Sequence, residues 1–273
     1  MKYLKKLKQL WSESGDKVEM PLIELKGLTK FFGKLAAIED VDLSVEKGEV
    51  LGIVGPNGSG KTTMINVISG YYRPSRGTIL FNEEKISGLR PDQIATRGIV
   101  RTFQSNVLFE GATVLESMLI GSFRQYKTKD WQAFFETKAY KDDHERVVGR
   151  VIELLKTFDI FNDIFLPAAG LSHGYQRMLG ITMALIANPT VLLLDEPTTG
   201  MNHEEAMFVV ENIKKISEQG ITVLVIEHNM KVLLNIATRV VVLNFGNKIA
   251  DGKPEEVMNK QEVIEAYLGT ETI

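Results

Sequence analysis

The segment from Gly55 to Thr62 constrains the fold of this chain more than any other stretch of its sequence. It reads Gly-Pro-Asn-Gly-Ser-Gly-Lys-Thr and fits the pattern G-x-x-x-x-G-K-[ST] without a mismatch. The apolar run Val50–Val54 precedes it and the helical pattern Lys61–Ser69 follows it. A strand, a glycine-rich loop and a helix in this order bind phosphate groups, because the loop N–H groups converge on them. The sequence therefore predicts an α/β protein with a nucleotide triphosphate site.

The residue types within this loop match the chemistry of phosphate binding. Glycines let the backbone curl so that successive N–H groups point at phosphate oxygens. Lys61 carries its charge toward the β- and γ-phosphates, Thr62 offers a hydroxyl to Mg²⁺, and the following helix adds the positive end of its dipole. We therefore expect a purine nucleoside triphosphate with Mg²⁺. The predicted nucleotide-binding set is Gly55, Pro56, Asn57, Gly58, Ser59, Gly60, Lys61, Thr62 and Thr63.

A second apolar strand ends in two acidic residues. Val191–Leu194 is followed directly by Asp195 and Glu196, and adjacent carboxylates repel each other. Beside a phosphate loop, the first acid can hold the metal shell and the second can orient or deprotonate the attacking water. We predict that Asp195 binds Mg²⁺ and that Glu196 is catalytic. The alternative is a strand that ends in a solvated acidic turn.

The composition excludes several classes of protein. The chain has 273 residues, a formal net charge of −3 and no cysteine. Disulfides, thiolate metal sites and thiol catalysis are therefore ruled out, and no charge excess favours nucleic acid. No stretch reaches the roughly 18 consecutive apolar residues of a transmembrane helix, and Met1–Trp11 lacks the apolar core of a secretory signal. We expect a soluble, intracellular protein that does not bind nucleic acid.

Strand and helix patterns alternate along most of the chain, which favours a largely parallel sheet with helices on both faces. Leu22–Leu25 and Ala37–Val45 alternate apolar with polar residues, as in a half-exposed antiparallel sheet. Residues 106–170 carry helical periodicity and a cluster of aromatic residues, so we predict a helical lobe inserted into the core. The other predicted strands are Ile99–Phe103, Thr222–Ile226 and Val240–Leu243.

Residues 1–20 form a basic N-terminal extension. Apolar residues within Met1–Trp11 fall near one helical face, with lysines elsewhere. This pattern fits either an amphipathic helix on an anionic membrane or a frayed terminus ahead of the domain, and we favour the frayed terminus.

Taken together, the order of these motifs resembles that of an ABC-type ATP-binding cassette over about residues 22–269. The resemblance implies an α/β P-loop NTPase fold with a RecA-like core, an antiparallel β subdomain and an inserted helical subdomain. It also implies ATP and Mg²⁺ as cofactors. A single ATPase domain then covers residues 21–273, with a C-terminal helix at about 254–269.

Three further site residues rest on this resemblance. Phe32 matches the aromatic residue that stacks on the adenine ring; the alternative is a half-buried side chain beside Phe31. Gln104 matches the glutamine that senses Mg²⁺ and the attacking water, so we assign it to both metal binding and catalysis. His228 matches the catalytic switch histidine that contacts the γ-phosphate, although a lone His at a strand end is often a capping residue.

The segment Leu171–Arg177 matches the family signature, normally close to L-S-G-G-Q. Ser172 and Gly174 are retained at the start of a predicted helix, where N–H groups favour an anion. The resemblance implies that these two residues bind the ATP of a second cassette in a head-to-tail dimer. His173 and Tyr175 depart from the family pattern, because both side chains are bulkier than the commonest Gly and Gln.

A narrower resemblance concerns the transported solute. Gly98–Gln104, Gly200–Asn202, Ile226–Met230 and the tail Val263–Gly269 together resemble the ATPase of branched-chain amino acid importers. The ATPases of urea and short-amide importers are closely similar, so they remain an alternative. Asn202 stands where many cassettes have an Asp, which keeps the hydrogen-bonding shape and removes the charge.

This resemblance also implies partners. We expect a second, paralogous ATPase subunit, two membrane permease subunits and, indirectly, an extracytoplasmic solute-binding protein, with the chain peripheral at the cytoplasmic face of the inner membrane. We predict that exposed apolar residues just beyond Gln104 contact the permease; the alternative is that they pack the lobe. These residues are Asn106, Leu108, Phe109, Val114 and Leu115.

Three other functions are alternatives to import. A soluble cassette of translation or DNA repair usually carries two fused cassettes or a long coiled-coil insertion, and neither is present. A P-loop kinase leaves the signature segment and His228 unexplained. A lipid-export ATPase with an import-like cassette fits the same motifs, because one fold hosts several tasks.

Overall fold

The structure, a computed structural model, describes residues 20–102 and 111–268. In chain order its strands are β1 (Ile23–Phe32), β2 (Leu35–Val45), β3 (Val50–Val54), β4 (Arg76–Phe81), β5 (Glu84–Lys85), β6 (Ile99–Arg101), β7 (Val191–Asp195), β8 (Thr222–Ile226), β9 (Arg239–Asn244) and β10 (Asn247–Gly252). Its α-helices are α1 (Lys61–Ile68), α2 (Pro91–Thr96), α3 (Val114–Gly121), α4 (Asp130–Phe134), α5 (Lys138–Thr157), α6 (His173–Leu185), α7 (His203–Glu218), α8 (Met230–Ile236), α9 (Pro254–Met258) and α10 (Gln261–Leu268).

A six-stranded sheet in the order β10-β9-β3-β8-β7-β6 forms the centre of the fold. Strands β3, β6, β7, β8 and β9 are parallel, and β10 joins the edge as the antiparallel partner of β9. These strands are rich in Val, Ile and Leu because the sheet is covered on both faces. Their carboxyl ends lie at one edge of the sheet, and the phosphate loop follows β3, one of the two central strands.

A second, antiparallel sheet in the order β2-β1-β4-β5 packs against one face of the first. The side chains of β3 alternate between the two faces: Leu51 and Ile53 join the core between the sheets, whereas Val50 and Val54 join the core beneath the helices. This alternation follows from the two-residue period of a strand. The predicted α/β class, with a parallel sheet, an antiparallel sheet and a helical lobe, is confirmed.

The helical lobe contains α3, α4 and α5, and α6 connects it to the central sheet. Val147, Val151, Leu154 and Leu155 are all buried on one face of α5, as their helical spacing predicts. Helix α6 contacts α3 and α5 of the lobe and also α7, so it attaches the lobe to the core. The structure therefore places the lobe beside the signature segment, at the start of α6.

Two predictions differ from the structure. The interpretation of Val114 and Leu115 as exposed permease contacts is wrong, because Val114 is fully buried in the core and Leu115 packs against it. The helix predicted at 254–269 is two helices, α9 and α10, separated at Asn259. Three other predicted permease contacts (Asn106, Leu108, Phe109), together with Gln104 and the segment Met1–Trp11, lie outside the described residues.

Within residues 20–102 and 111–268, no helix is both long enough and apolar enough to cross a membrane.

Asp143 on α5 holds the segment that precedes α4. Its carboxylate accepts hydrogen bonds from the backbone N–H groups of Lys127 (2.6 Å) and Thr128 (3.0 Å) and from the Arg146 guanidinium (2.6 Å). Burial alone would raise the pKa of Asp143, but these hydrogen bonds outweigh it and lower this pKa from 3.8 to about 2. The carboxylate therefore stabilises the folded lobe as an anion.

We expect Asp143→Asn to lower the free energy of unfolding at pH 7 by about 1 kcal/mol, because charge-assisted hydrogen bonds are lost. The folded-state pKa lies below the unfolded value, so this stabilisation is present above about pH 4 and lost as the pH falls toward 2. Urea unfolding of the wild type and the variant at pH 7, 5 and 3.5 should therefore show a difference in unfolding free energy that becomes smaller as the pH falls. Asp142→Asn, at the exposed neighbouring position, should have no effect; equal losses in both variants would contradict the assignment.

Candidate functional site

Three parallel strands bring the predicted site residues to one edge of the central sheet. The phosphate loop follows β3, Asp195 ends β7, and His228 lies two residues after β8. Strand β8 lies between β3 and β7, and Asp195 is in register with Ile226. Because the carboxyl ends of parallel strands meet at a common edge, residues more than 100 positions apart share one cleft.

The phosphate loop packs closely against backbone from both sheets. Gly60 has φ +105°, and a Cβ there would lie 2.3 Å from the carbonyl oxygen of Ala37. Gly55 has φ +145°, and a Cβ there would lie 2.0 Å from the carbonyl oxygen of Leu243. Both positions therefore require glycine, for conformation and for space. Helix α1 begins directly after Gly60, so its free N–H groups face the loop.

Lys61 is buried within this loop and bonds to the loop's own backbone. Its Nζ donates to the carbonyl oxygens of Gly55 (2.8 Å) and Pro56 (2.9 Å). Burial lowers the pKa of Lys61, and the nearby carboxylates of Glu196 and Asp195 oppose this change. The ammonium group is thus held inside the loop by two carbonyls, which phosphate oxygens can replace.

Asp195 is only 1% exposed, and Arg101 at the end of β6 is its ion-pair partner. The Arg101 Nη2 lies 2.9 Å from Asp195 Oδ2, and Nη1 of the same guanidinium bonds to Oδ1 of Asn66 on α1. Burial raises the pKa of Asp195, while the Arg101 charge lowers it. Arg101 therefore connects the acid of β7 to the helix that follows the phosphate loop.

Glu196 and His228 form a pair at the mouth of the cleft. Oε1 of Glu196 lies 2.7 Å from Nε2 of His228, and Oε2 accepts a hydrogen bond from the Thr199 hydroxyl (3.1 Å). Glu196 has φ +48°, a left-handed conformation that is strained for a residue with a side chain. Its backbone N–H donates to the Ile226 carbonyl at 3.0 Å, which fixes this turn against β8. Strain of this kind is common at functional sites.

A buried carboxylate beneath this pair was not singled out by the sequence patterns. Glu227 is 2% exposed, and its Oε1 accepts from the Thr198 backbone N–H (2.9 Å) and hydroxyl (2.6 Å). Its Oε2 accepts from the backbone N–H of His228 at 3.2 Å. Glu227 therefore joins the turn after β7 to the turn after β8. An acidic residue directly after an apolar strand was the available signal.

The sequence patterns assign no role to Arg101, which lies within the segment Gly98–Gln104. Its partner Asp195 is 94 residues away, so no local pattern marks the pair. Buried Arg177 on α6 faces the same group of acids: burial lowers the pKa of Arg177, and the charges of Glu227 and Asp195 raise it. The buried acids of the site are thus balanced by buried cations from three different elements.

A cleft of about 580 Å³ contains the predicted adenine and phosphate positions. Phe32 is 41% exposed at its rim and meets Tyr72 edge-on, with ring centroids 5.1 Å apart. One face of the site is therefore aromatic and open to a flat ring. The cleft is lined by Phe32, Lys34, Leu35, Ala36, Ala37, Asn57, Gly58, Gly60, Lys61, Thr62, Thr63, Glu196, His228 and Phe245.

The signature segment lies outside this cleft, at the start of α6. Ser172 is the N-cap of α6, and the Gly174 N–H donates to the Glu205 carboxylate at 3.4 Å. Glu205 also caps α7 together with Asn202, whose Oδ1 accepts from the Glu205 N–H at 3.0 Å. Within this chain, therefore, Ser172 and Gly174 lie apart from the chain's own phosphate loop.

The two bulky residues of the signature segment, His173 and Tyr175, lie in different environments. The Tyr175 ring packs against Phe208 of α7, with centroids 4.7 Å apart, and it is half-buried. His173 is exposed at the first position of α6. Tyr175 therefore contributes to the helix–helix contact rather than covering the exposed start of α6.

The donor atoms present fit a magnesium ion. Oδ1 of Asp195 is buried without a hydrogen-bond partner among the described residues, and Thr62 lines the cleft that Glu196, the residue after Asp195, also lines. Mg²⁺ prefers such oxygen ligands, with water completing its shell. No group of three or more His, Cys, Asp or Glu side chains suited to a metal occurs in the described parts of the chain. Gln104 lies outside those parts.

Two protein-family models match parts of this chain. Residues 38–199 match the family described as ABC transporter, and residues 247–272 match the family described as branched-chain amino acid ATP-binding cassette transporter. The first match spans the phosphate loop, the signature segment and Asp195. The second spans β10 and the C-terminal helices α9 and α10.

Curated relatives share about a third of their residues with this chain over nearly its full length. The high-affinity branched-chain amino acid transport ATP-binding protein LivG of Salmonella typhimurium is 37% identical over 253 residues, 92% of this chain and 99% of LivG. The corresponding protein BraF of Pseudomonas aeruginosa is 38% identical over 250 residues, 91% of this chain and 98% of BraF.

Solved structures of similar fold are also ATP-binding cassettes. A nucleotide-free cassette from an ABC transporter is 32% identical, with a TM-score of 0.79 over 91% of this chain and 99% of that one. A cassette in its ADP conformation is 31% identical, with a TM-score of 0.80 over 92% and 99% of the two chains. A dimeric cassette bound to ADP and Pi is 26% identical, with a TM-score of 0.70 over 85% and 98%.

We expect Gly60→Ala to weaken ATP binding by more than about tenfold, because the new Cβ would overlap the Ala37 carbonyl and displace the loop. The matched control is Gly88→Ala, which has φ +80° but open space around its Cβ. It adds the same kind of backbone strain away from the cleft. Titration with a fluorescent ATP analogue measures both; a comparable loss in the Gly88 variant would contradict the role of the close contact.

We expect Arg101→Met to lower the free energy of unfolding at pH 7.5 by about 3 kcal/mol, because Asp195 is left buried without its cation. The pKa of Asp195 is already raised by burial and would rise further. A carboxyl whose pKa is higher in the folded state than in the unfolded state makes the folded protein less stable as the pH rises. The difference in unfolding free energy between the variant and the wild type should therefore become smaller as the pH is lowered. Denaturation across pH 5 to 8 checks this, with exposed Arg97→Met as the control; a deficit that does not change with pH would count against the pairing.

Proposed function

The chain belongs to the ABC transporter family of ATP-binding cassettes, and we propose that it energises an importer of branched-chain amino acids. As a member of this family it binds and hydrolyses ATP. The observation that carries the catalytic part of the proposal is the convergence of Lys61, Asp195 and the Glu196–His228 pair at one sheet edge. The branched-chain match of residues 247–272 and the LivG and BraF relatives support the solute class.

Binding of ATP begins with the phosphate loop. Residues from Gly55 to Thr63 cradle the phosphates with backbone N–H groups, and Phe32 stacks on the adenine ring. The Lys61 ammonium exchanges the Gly55 and Pro56 carbonyls for phosphate oxygens. These carbonyls accept hydrogen bonds from Lys61 when no nucleotide is bound. The buried ammonium group therefore keeps hydrogen-bond partners after the nucleotide leaves.

Hydrolysis requires a water molecule aligned with the γ-phosphate. Glu196 orients this water and takes its proton, and the strained turn holds the carboxylate at the cleft mouth. His228 contacts the γ-phosphate and positions Glu196 through their 2.7 Å contact. The buried Glu227 fixes both turns through Thr198 and the His228 backbone. We assign the sensing of the nucleotide state to Gln104.

Mg²⁺ bound to the phosphates would be held by Thr62 and Asp195, with Gln104 as a further contact. When bound, the ion neutralises the charge that develops on the phosphate oxygens. Oδ1 of Asp195 has no hydrogen-bond partner among the described residues, which supports this assignment because the ion would need such an acceptor. Arg101 keeps the Asp195 carboxylate in place through the other oxygen.

We propose that two cassettes close head-to-tail over two ATP molecules. Ser172 and Gly174 then contact the ATP bound by the partner cassette, which explains their separation from this chain's own phosphate loop. Their exposed helix start suits an anion, and Glu205 supplies that anion in the single chain. The similar dimeric cassette bound to ADP and Pi supports this arrangement. We propose a paralogous cassette as the partner.

The remaining partners are membrane proteins. We propose that the chain lies at the cytoplasmic face of the inner membrane, bound to two permease subunits that receive the solute from an extracytoplasmic binding protein. An apolar cleft of about 580 Å³ in the helical lobe, with Ile120 and Phe123 at its exposed surface, supports a permease contact on this lobe. It replaces the contact expected at Val114 and Leu115. Urea or short amides are the second candidate solutes.

We expect Glu196→Gln to retain ATP binding while lowering hydrolysis by about 100-fold, because the amide cannot accept the proton of the attacking water. In source cells that lack this protein, uptake of labelled leucine should be restored by wild type and not by this variant. Exposed Glu204→Gln is the matched control and should restore uptake fully. Restoration of urea uptake instead would move the solute to the second candidate.

A separate measurement tests the nucleotide site itself. Purified Lys61→Ala should bind ATP at least about tenfold more weakly than wild type, because the loop loses its cation. Unchanged affinity would contradict the assignment of the phosphate loop. Leucine and urea uptake that are both independent of the protein would contradict the transport proposal while leaving the ATPase in place.

A further inference from the structure

Helix α4 turns its largest apolar side chains outward. Trp131, Phe134 and the next residue, Phe135, lie three and four positions apart, so they share one side of the helix. They are 56%, 83% and 69% exposed, and the rings of Phe134 and Phe135 meet edge-on, with centroids 5.2 Å apart. The smaller Ala133 lines the cleft of the helical lobe instead. An ordinary surface helix buries its apolar side, so this aromatic patch (Trp131, Phe134 and Phe135) is a candidate interaction surface.

Hydrogen bonds at both ends of α4 hold the aromatic patch in this orientation. Before the helix, the Asp143 carboxylate accepts hydrogen bonds from two backbone N–H groups. The side chain of Gln132 accepts from the Lys129 N–H at 2.8 Å, and the Gln132 carbonyl accepts from the N–H of Thr137, the N-cap of α5, at 3.0 Å. The three rings therefore cannot turn toward the core of the lobe unless these hydrogen bonds break.

Basic side chains surround the aromatic patch. From the end of α3 to the first turn of α5, residues 122–141 carry five basic and two acidic side chains, whereas the whole chain has a net charge of −3. All seven are exposed: Arg124, Lys127, Lys129, Lys138, Lys141, Asp130 and Glu136. One of the two acids, Glu136, lies 3.7 Å from the Nζ of Lys141. The surface around the rings is therefore cationic.

Aromatic rings beside lysines are typical of proteins that bind at a bilayer surface. The rings occupy the headgroup region, and the ammonium groups meet anionic lipid phosphates at the ends of long flexible side chains. Interfaces between proteins are also rich in aromatic residues, but they are depleted of lysine. Four of the five basic residues here are lysines. The composition of the patch and its surroundings therefore favours lipid over a second protein.

The aromatic patch adjoins the surface to which the permease contact is assigned. Ala133 of α4 lines the same cleft as Ile120 and Phe123. A permease bound at that cleft would bring α4 close to the membrane in which the permease lies. This position rests on the proposed function, whereas the affinity for lipid depends only on the patch and the charges around it.

We propose that the aromatic patch docks on anionic lipid at the membrane surface beside the permease. The rings of Trp131, Phe134 and Phe135 enter the headgroup region, and the surrounding lysines bind lipid phosphates. The helical lobe then has a lipid contact of its own, separate from its contact with the permease and from the nucleotide site.

Sedimentation with lipid vesicles tests this contact. The full chain should bind vesicles of phosphatidylglycerol and phosphatidylcholine at least about tenfold more tightly than vesicles of phosphatidylcholine alone, because the lysines need anionic lipid. Added salt should weaken this binding. The triple variant Trp131→Ser/Phe134→Ser/Phe135→Ser should bind the anionic vesicles at least about tenfold more weakly than the wild type, because three aromatic side chains no longer leave water.

The matched control is Phe165→Ser/Leu166→Ser, which removes an apolar pair that lies outside the patch and is 77% and 49% exposed. This variant should bind the anionic vesicles like the wild type. Equal thermal melting of the two variants shows that the comparison is made between folded proteins. A comparable loss of binding in the control would contradict a specific role of the patch.

Tryptophan fluorescence tests whether the patch itself enters the lipid. The chain contains two tryptophans, Trp11 and Trp131. In Trp11→Phe, Trp131 is the only tryptophan, so its emission reports on the patch alone. Anionic vesicles should shift this emission to shorter wavelength, and lipids brominated on their acyl chains should quench it. Binding without any change of emission would overturn the proposal, because the protein would then attach through another segment, such as the basic extension.

The possible outcomes separate this inference from the proposed function. If the wild type does not bind anionic vesicles, or the triple variant binds them equally well, the lipid contact is wrong. Loss of leucine uptake by the triple variant, without lipid binding by the wild type, would assign the patch to the permease instead. Vesicle binding requires neither ATP nor a permease, so its absence leaves the import proposal standing. Leucine uptake that is independent of the protein would contradict import and leave the vesicle result to decide the lipid contact.

Discussion

The absence of a side chain at two glycines allows the phosphate loop to lie where it does. At Gly55 and Gly60 the loop backbone approaches the carbonyl oxygens of Leu243 and Ala37 so closely that a Cβ would overlap them. These carbonyls belong to β9 of the parallel sheet and β2 of the antiparallel sheet. The loop is therefore a point of contact between the two sheets, and its conformation depends on how they pack. A phosphate site formed this way is rigid before ligand binds, which lowers the cost of ordering it.

The charges of the site are arranged so that each buried ion has a partner. Lys61 is held by loop carbonyls, Asp195 by Arg101, and Glu227 by Thr198 and the His228 backbone. Glu196 and His228, in contrast, pair with each other at the mouth of the cleft. Burial of an unpaired charge is strongly unfavourable, so each pair also fixes the strand end that carries it. The same contacts that satisfy the charges therefore position the groups for hydrolysis.

Glu205 connects the turn after β7 to the signature segment. Its carboxylate accepts a hydrogen bond from the signature Gly174, and it completes the cap of α7 with Asn202. An acidic group here occupies the positive end of α6, where an anion is favoured. In the proposed dimer the partner's ATP brings phosphate to the same end. The Asn at position 202 still caps α7 without a charge, so this turn keeps its geometry while carrying one negative charge fewer.

The sequence by itself determined the phosphate loop, the strand ending in Asp195, the apolar face of α5 and the alternation that separates the two sheets. These follow from local spacing, because a loop, a strand or a helix face is specified by residues only a few positions apart. Local spacing could not determine the Arg101–Asp195 pair or the contacts of Glu227, since their partners are brought together by strand order. For the same reason Val114 was placed at the surface when packing against α6 buries it, and one C-terminal helix was expected where there are two. Those features were decided only by the tertiary structure, in which packing across the sheet determines which side chains meet.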